Sequence, residues 1–131
     1  MKKHTFIVFL LSVCMLVSFV GCGSKSKTFE LNDIQKVVLT SSSGQVKNII
    51  TDTETIKQIT ENITSIQFSR EKSSKDINGF GTIIEWYGNN DNRILSFFVN
   101  DEQTIQYDGY LWKAQNGSIN TKLISGLLTS E

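Results

Sequence analysis

Phe80-Gly-Thr-Ile-Ile-Glu-Trp-Tyr87, Arg93-Ile-Leu-Ser-Phe-Phe-Val99, Thr104-Ile-Gln-Tyr107 and Tyr110-Leu-Trp-Lys-Ala114 are four short runs rich in β-branched and aromatic residues. Turn chemistry separates them: Gly88-Asn89-Asn90-Asp91-Asn92, then Asn100-Asp101-Glu102, then Asp108-Gly109. Asp-Gly suits the left-handed backbone of a two-residue hairpin turn, and connections this short make neighbouring strands antiparallel. The stretch therefore predicts a four-stranded meander. Its first two runs are apolar on both faces, so alternation does not tell which face a covering layer takes.

Upstream, Ile34 to Thr40 carries Val37, Val38 and Leu39, Ser41-Ser42-Ser43-Gly44 breaks the run, and Gln45 to Ile50 resumes it with Val46, Ile49 and Ile50. This is a strand, turn, strand pattern. Ile56, Ile59, Ile63 and Ile66 then recur near the helical period, with Thr51-x-x-Glu54 or Asp52 placed to cap the first amides. The isoleucine stripe is better read as core facing a sheet than as a partner-binding ridge. Ser69 to Gly79 is charged and almost without apolar residues, which predicts an exposed loop. At the other end Ser118 can cap a second helix whose apolar face is Ile119, Leu123 and Leu127, weakened by Gly126.

The predicted order is β-β-α-β-β-β-β-α. It implies an α+β, two-layer domain, with an antiparallel sheet of about five to six strands covered on one side by two helices.

The front of the chain has a different character. Lys2 and Lys3 precede a mostly apolar run from Phe6 to Val20, followed by Gly21 and Cys22. A positive start, an apolar centre and a small residue at the end are the three parts of an export signal. The quartet Phe19-Val20-Gly21-Cys22 resembles the lipobox of bacterial lipoproteins, with Phe19 where Leu is usual. The resemblance implies cleavage between Gly21 and Cys22 and a diacylglyceryl thioether on Cys22. Two acyl chains hold a protein firmly where one does so only marginally, so membrane lipid would be the partner reached through Cys22. Free secretion after Gly23 and an uncleaved anchor are the competing readings. The latter is disfavoured, since spanning needs about 20 apolar residues and this run is shorter and holds Ser12 and Ser18. The expected division is residues 1–21 signal, 22–30 lipidated end and tether, and 31–131 a single domain.

Removal of the signal leaves about 110 residues, enough for one domain. His4 and Cys14 lie in the signal and Cys22 is the lipid site, so the domain holds neither residue type. Disulfides, Cys/His zinc sites, cysteine nucleophiles and Ser-His-Asp triads are thereby excluded. The remainder is slightly acidic, with no basic block to indicate nucleic acid, and lipid rather than charge is expected to carry membrane attachment. No cofactor is implied.

Few constellations remain. Ser69-Arg-Glu-Lys72 and Ser24-Lys-Ser-Lys27 have the Ser-x-x-Lys spacing of penicillin-recognising enzymes, but lack the companion Lys-Thr-Gly and a helical setting. Glu85, between Ile84 and Trp86, is the candidate acid for a small cell-wall glycan hydrolase working through paired carboxylates. The plainer reading turns Glu85 to solvent to pair with Arg93 or a lysine. Asn89-Asn90-Asp91-Asn92 and Asp76-x-Asn78-Gly79 offer oxygen ligands, though neither completes a calcium loop and both suit left-handed turns. Gly79-x-Gly81 lacks the third glycine of a dinucleotide site.

Aromatic residues crowd the meander. Trp86, Tyr107, Tyr110 and Trp112 are the candidate binding surface for an envelope protein or glycan, on a sheet face left open by the helices. In its layout and its Tyr107-Asp-Gly-Tyr-Leu-Trp112 segment, the domain resembles small uncharacterised lipoproteins of Gram-positive bacteria of the Bacillus type. The resemblance implies a membrane-anchored, extracytoplasmic module and brings no activity with it.

Overall fold

The computed structural model describes residues 25–75 and 81–129. The fold is α+β, with an eight-stranded antiparallel sheet and two helices among the described residues. The strands are β1 (Ser26–Lys27), β2 (Lys36–Ser41), β3 (Lys47–Ile50), β4 (Phe68–Ser73), β5 (Thr82–Tyr87), β6 (Arg93–Val99), β7 (Thr104–Tyr107) and β8 (Tyr110–Ala114). The helices are α1 (Thr53–Thr64) and α2 (Thr121–Thr129). Across the sheet the order is β1-β4-β8-β7-β6-β5-β2-β3.

The meander β5 to β8 forms as its turns require. Asp108 and Gly109 both have positive φ, 50° and 78°, the pair of left-handed residues that a tight hairpin needs, and Tyr107 faces Tyr110 across it. Asn90 and Asp91 take φ of 59° and 54° in the β5–β6 connection, which accounts for the asparagine-rich composition there. Asp101 closes the β6–β7 turn by accepting the amide hydrogens of Gln103 and Thr104, each at 2.8 Å.

β2 and β3 form the expected hairpin and dock on β5. From β3, at one sheet edge, the chain crosses through α1 to β4, next to the other edge. Asp52 caps α1, and Ile56, Ile59 and Ile63 are buried together with Ile66 just beyond it. Each such burial contributes about 1.5–3 kcal/mol. They meet Val37, Leu39, Ile84, Trp86, Phe97, Val99, Ile105, Trp112 and Ala114 from one face of the sheet. Among the described residues, the buried members of this core run from Phe29 to Ile124.

Three local expectations need correction. The charged stretch from Ser69 is a strand through Ser73, paired with β8 on one side and β1 on the other. Pairing near a sheet edge tolerates charge that solitary apolar patterning would not reveal. This strand and β1 raise the count from the expected five or six to eight. Next, the tether is shorter than 22–30, because Ser26 and Lys27 pair with β4 and Phe29 is buried against Phe68, Phe97 and Tyr107. Finally, α2 is capped by Asn120 rather than Ser118: the Leu123 amide donates to Asn120 Oδ1 at 3.1 Å. The Ser118 carbonyl instead accepts from Asn62 Nδ2, and the Asn120 amide donates to Asn62 Oδ1, which ties α2 to α1.

Candidate functional site

Both helices lie on the sheet face that carries Val37, Leu39, Ile84 and Trp86. Strand alternation sends Val38, Ile83, Phe98 and Leu111 to the opposite face; none of these belongs to the core cluster, although Val38 is itself buried and the other three are half-buried. They line up across strands: Ile83 faces Phe98, Phe98 faces Gln106, and Gln106 faces Leu111. In the neighbouring row Ile49 faces Val38, which faces Glu85. Among the described residues no helix covers this face, and Ile49 and Ile94 are 56% and 44% exposed.

A polar chain borders the apolar strip. Lys36 Nζ lies 4.5 Å from the Tyr87 ring centroid and 2.7 Å from Asp91 Oδ1. Tyr87 Oη donates to Glu85 Oε2 at 3.1 Å, and Arg93 Nη1 donates to the same oxygen at 3.2 Å. Partial desolvation at the sheet surface, followed by the hydrogen bond to the Glu85 carboxylate, raises the Tyr87 phenol above its ordinary value. Glu85 therefore takes the plainer of its two readings: it turns away from the core and pairs with Arg93. Two open depressions, one with Asn62, Glu102 and Asn120 and one with Phe29, Glu30 and Thr64, include neither Glu85 nor a second carboxylate each.

The expected aromatic surface is corrected by burial. Trp86 is 0% and Trp112 7% exposed, both within the core under the helices. Trp112 Nε1 donates to the Tyr107 carbonyl at 3.0 Å, a hydrogen bond that closes the hairpin rather than reaching outward. Tyr107 and Tyr110 are half-buried on the same side, packed against the core. The sequence shows which residues alternate but not the parity of the covering layer. Tyr87, Phe98 and Leu111 are the aromatic and apolar residues of the open face.

Other sequence candidates resolve simply. Ser69 and Lys72 sit on an extended strand with a bulge between Arg70 and Ser73, not on the single helical turn through which a Ser-x-x-Lys spacing brings the lysine to the serine hydroxyl. Gly81 answers to a close approach, since a Cβ there would lie 1.9 Å from the Val99 carbonyl oxygen. Asp91 is paired with Lys36, and no group of three or more metal-ligating side chains occurs among the described residues. The signal, Gly21, Cys22, Ser24 and the Asp76 to Gly79 turn lie outside the described residues. No helix among those described is long and apolar enough to cross a membrane. No protein-family model, curated protein or solved structure matches the chain.

Proposed function

We propose that this chain is an extracytoplasmic lipoprotein, anchored in the cell membrane through a diacylglyceryl thioether on Cys22, whose domain is a non-catalytic interaction module of the cell envelope. The observation that carries the module reading is the open sheet face, where Ile49, Ile83, Phe98 and Leu111 stand with Tyr87 beside a charged border. A contiguous apolar strip rimmed by polar residues is what an interaction site presents; here Ile49 is exposed and Ile83, Phe98 and Leu111 are half-buried. The anchor reading is supported by Lys2-Lys3, the run to Val20 and the Gly21-Cys22 pair. The absence of His and Cys after Cys22 supports a binding role over a nucleophilic one.

Intact mass of the chain recovered from membranes tests the anchor. A diacylglyceryl group on an amino-terminal Cys22 is expected, together with release of Cys22→Ser from the membrane fraction; an unmodified thiol overturns it. For the face, photocrosslinking groups placed at Ile49 or Leu111 should capture an envelope protein or glycan fragment that the same group at Ser125, on α2, does not. Identical capture from both sides overturns it.

A further inference from the structure

The sequence spreads its cations thinly, but the topology gathers them. Lys25 and Lys27 enter with β1, Arg70 and Lys72 lie on β4, Lys75 follows it, and Lys113 is on β8. These three strands are neighbours at one end of the sheet. The Arg70 amide donates to the Lys25 carbonyl at 2.9 Å, so the two cations sit side by side. Lys27 faces Phe68 in register, and Lys113 faces Ser69. Glu71 is the one carboxylate on these strands, and the flanking residues that add Lys25 and Lys75 add two more, Asp76 next in sequence to Lys75 and Asp108 in the turn into β8, so six cations stand against three carboxylates. In the chain after Cys22 the other five cations are set against ten carboxylates, so a net-acidic molecule has one basic edge.

The pairing pattern separates this edge from the rest. Lys36, Lys57 and Arg93 are each ion-paired, with Asp91, Glu61 and Glu85. None of the six edge cations has a carboxylate within ion-pair distance among the described residues. Instead Lys27 lies 5.4 Å from the Tyr107 ring centroid and Arg70 4.4 Å from that of Tyr110, an arrangement that positions the charge without neutralising it. Lys25, Lys72, Lys75 and Lys113 are exposed.

We infer that this edge is a second membrane contact, lying on anionic phospholipid headgroups while Cys22 holds the lipid anchor. The inference rests on the anchor reading. Three residue steps separate Cys22 from Lys25, and fully extended they span roughly 11 Å. Lys25, where the edge begins, is thus held within roughly 11 Å of the anchored residue, little more than the Debye length of about 8 Å at physiological ionic strength, and each cation that comes this near adds attraction to an anionic surface. The acidic remainder is repelled, and the strip of Ile83, Phe98 and Leu111 stands away from the bilayer edge-on rather than flat against it.

Vesicle co-sedimentation of residues 22–131 with Cys22→Ser tests the contact without any lipid on the chain. Binding to phosphatidylglycerol-containing vesicles, lost at high salt and absent with pure phosphatidylcholine, is expected. Lys25→Glu with Lys72→Glu should weaken it at least about tenfold. Lys47→Glu with Lys122→Glu makes the same change of net charge at β3 and α2, the far side of the fold, and should alter it less than about twofold. Thermal melting of each variant checks that it remains folded. Equal losses in the two double variants, or binding indifferent to phosphatidylglycerol, overturn the inference. Failure of the anchor shows separately, as an unmodified Cys22 in cells.

Discussion

Arg93 reaches Glu85 because β6 carries one extra residue: Trp86 faces Leu95, yet Tyr87 faces Arg93, and the bulge at Ile94 brings the guanidinium within 3.2 Å of Glu85 Oε2. Bulges re-aim side chains in this way. The pair lies at the rim of the open face, with the Glu85 side chain 18% and the Arg93 side chain 60% exposed. Such half-solvated pairs contribute about 0–1 kcal/mol. Glu85→Gln is accordingly expected to change stability by less than about 1 kcal/mol, as measured by urea unfolding, and a loss several times larger would mean a structural role.

The same carboxylate governs Tyr87. Its raised phenol comes from surface desolvation and the Glu85 hydrogen bond, so folding favours the protonated ring. That contribution is fully present below the ordinary tyrosine range and is lost as pH rises through the raised folded value. In a background with Tyr107→Phe and Tyr110→Phe, the remaining phenol should titrate above a free tyrosine, and adding Glu85→Gln should move it down. Ultraviolet difference titration reads this directly; no movement would place the carboxylate elsewhere in solution.

Both tryptophans of the chain are core residues, Trp86 fully buried and Trp112 nearly so. Emission should be blue-shifted and resistant to a soluble quencher until the protein unfolds. Trp86→Ala is expected to cost about 3–5 kcal/mol. Its Nε1 has no hydrogen-bond partner among the described residues, and an unsatisfied buried donor costs about 1–3 kcal/mol. Trp86→Phe, which removes that donor, should therefore be far milder than Trp86→Ala; equal losses would contradict the burial.

What was legible in the sequence follows from how local each signal is. Asp108-Gly109 and the isoleucine stripe speak through neighbours in the chain, and both appear as expected. β4 was hidden because its partners, β1 and β8, lie some forty residues away on either side in sequence, and Ser69 to Ser73 has no apolar alternation of its own. Parity of the covering layer is a tertiary choice: Ile83 and Ile84 look alike in sequence, yet only Ile84 joins the core. That choice places Trp86 and Trp112 beneath the helices and leaves Phe98 and Leu111 on the opposite face.

Two glycines give opposite signs. At Gly81 an added Cβ would meet the Val99 carbonyl oxygen at 1.9 Å and the Phe98 ring at 2.9 Å. Backbone cannot yield as a flexible side chain can, so Gly81→Ala is expected to destabilise by about 3 kcal/mol or more. Gly126, exposed within α2, meets nothing within 4 Å. There alanine is favoured by about 1 kcal/mol, and Gly126→Ala should raise the thermal midpoint. A stabilised Gly81→Ala would refute the β5–β6 register.

Asp52 supplies a pH test of the fold itself. Its Oδ2 accepts the Thr55 hydroxyl at 2.6 Å and the Thr55 amide hydrogen at 2.9 Å, and these bonds, the hydroxyl first, hold the carboxyl below its ordinary range. A lowered folded value means that ionisation and folding support one another. The resulting stability is fully present above the ordinary carboxylate range and is lost as pH falls through the lowered folded value. Asp52→Ala should lower the melting temperature at neutral pH, and the gap from the parent should narrow in acid. Asp52→Asn keeps a side-chain acceptor of comparable capping strength without the charge, so its own cap should not weaken with acid. A parent–alanine gap that stayed constant through the acid range would show that α1 does not draw on an ionised Asp52 for its first turn.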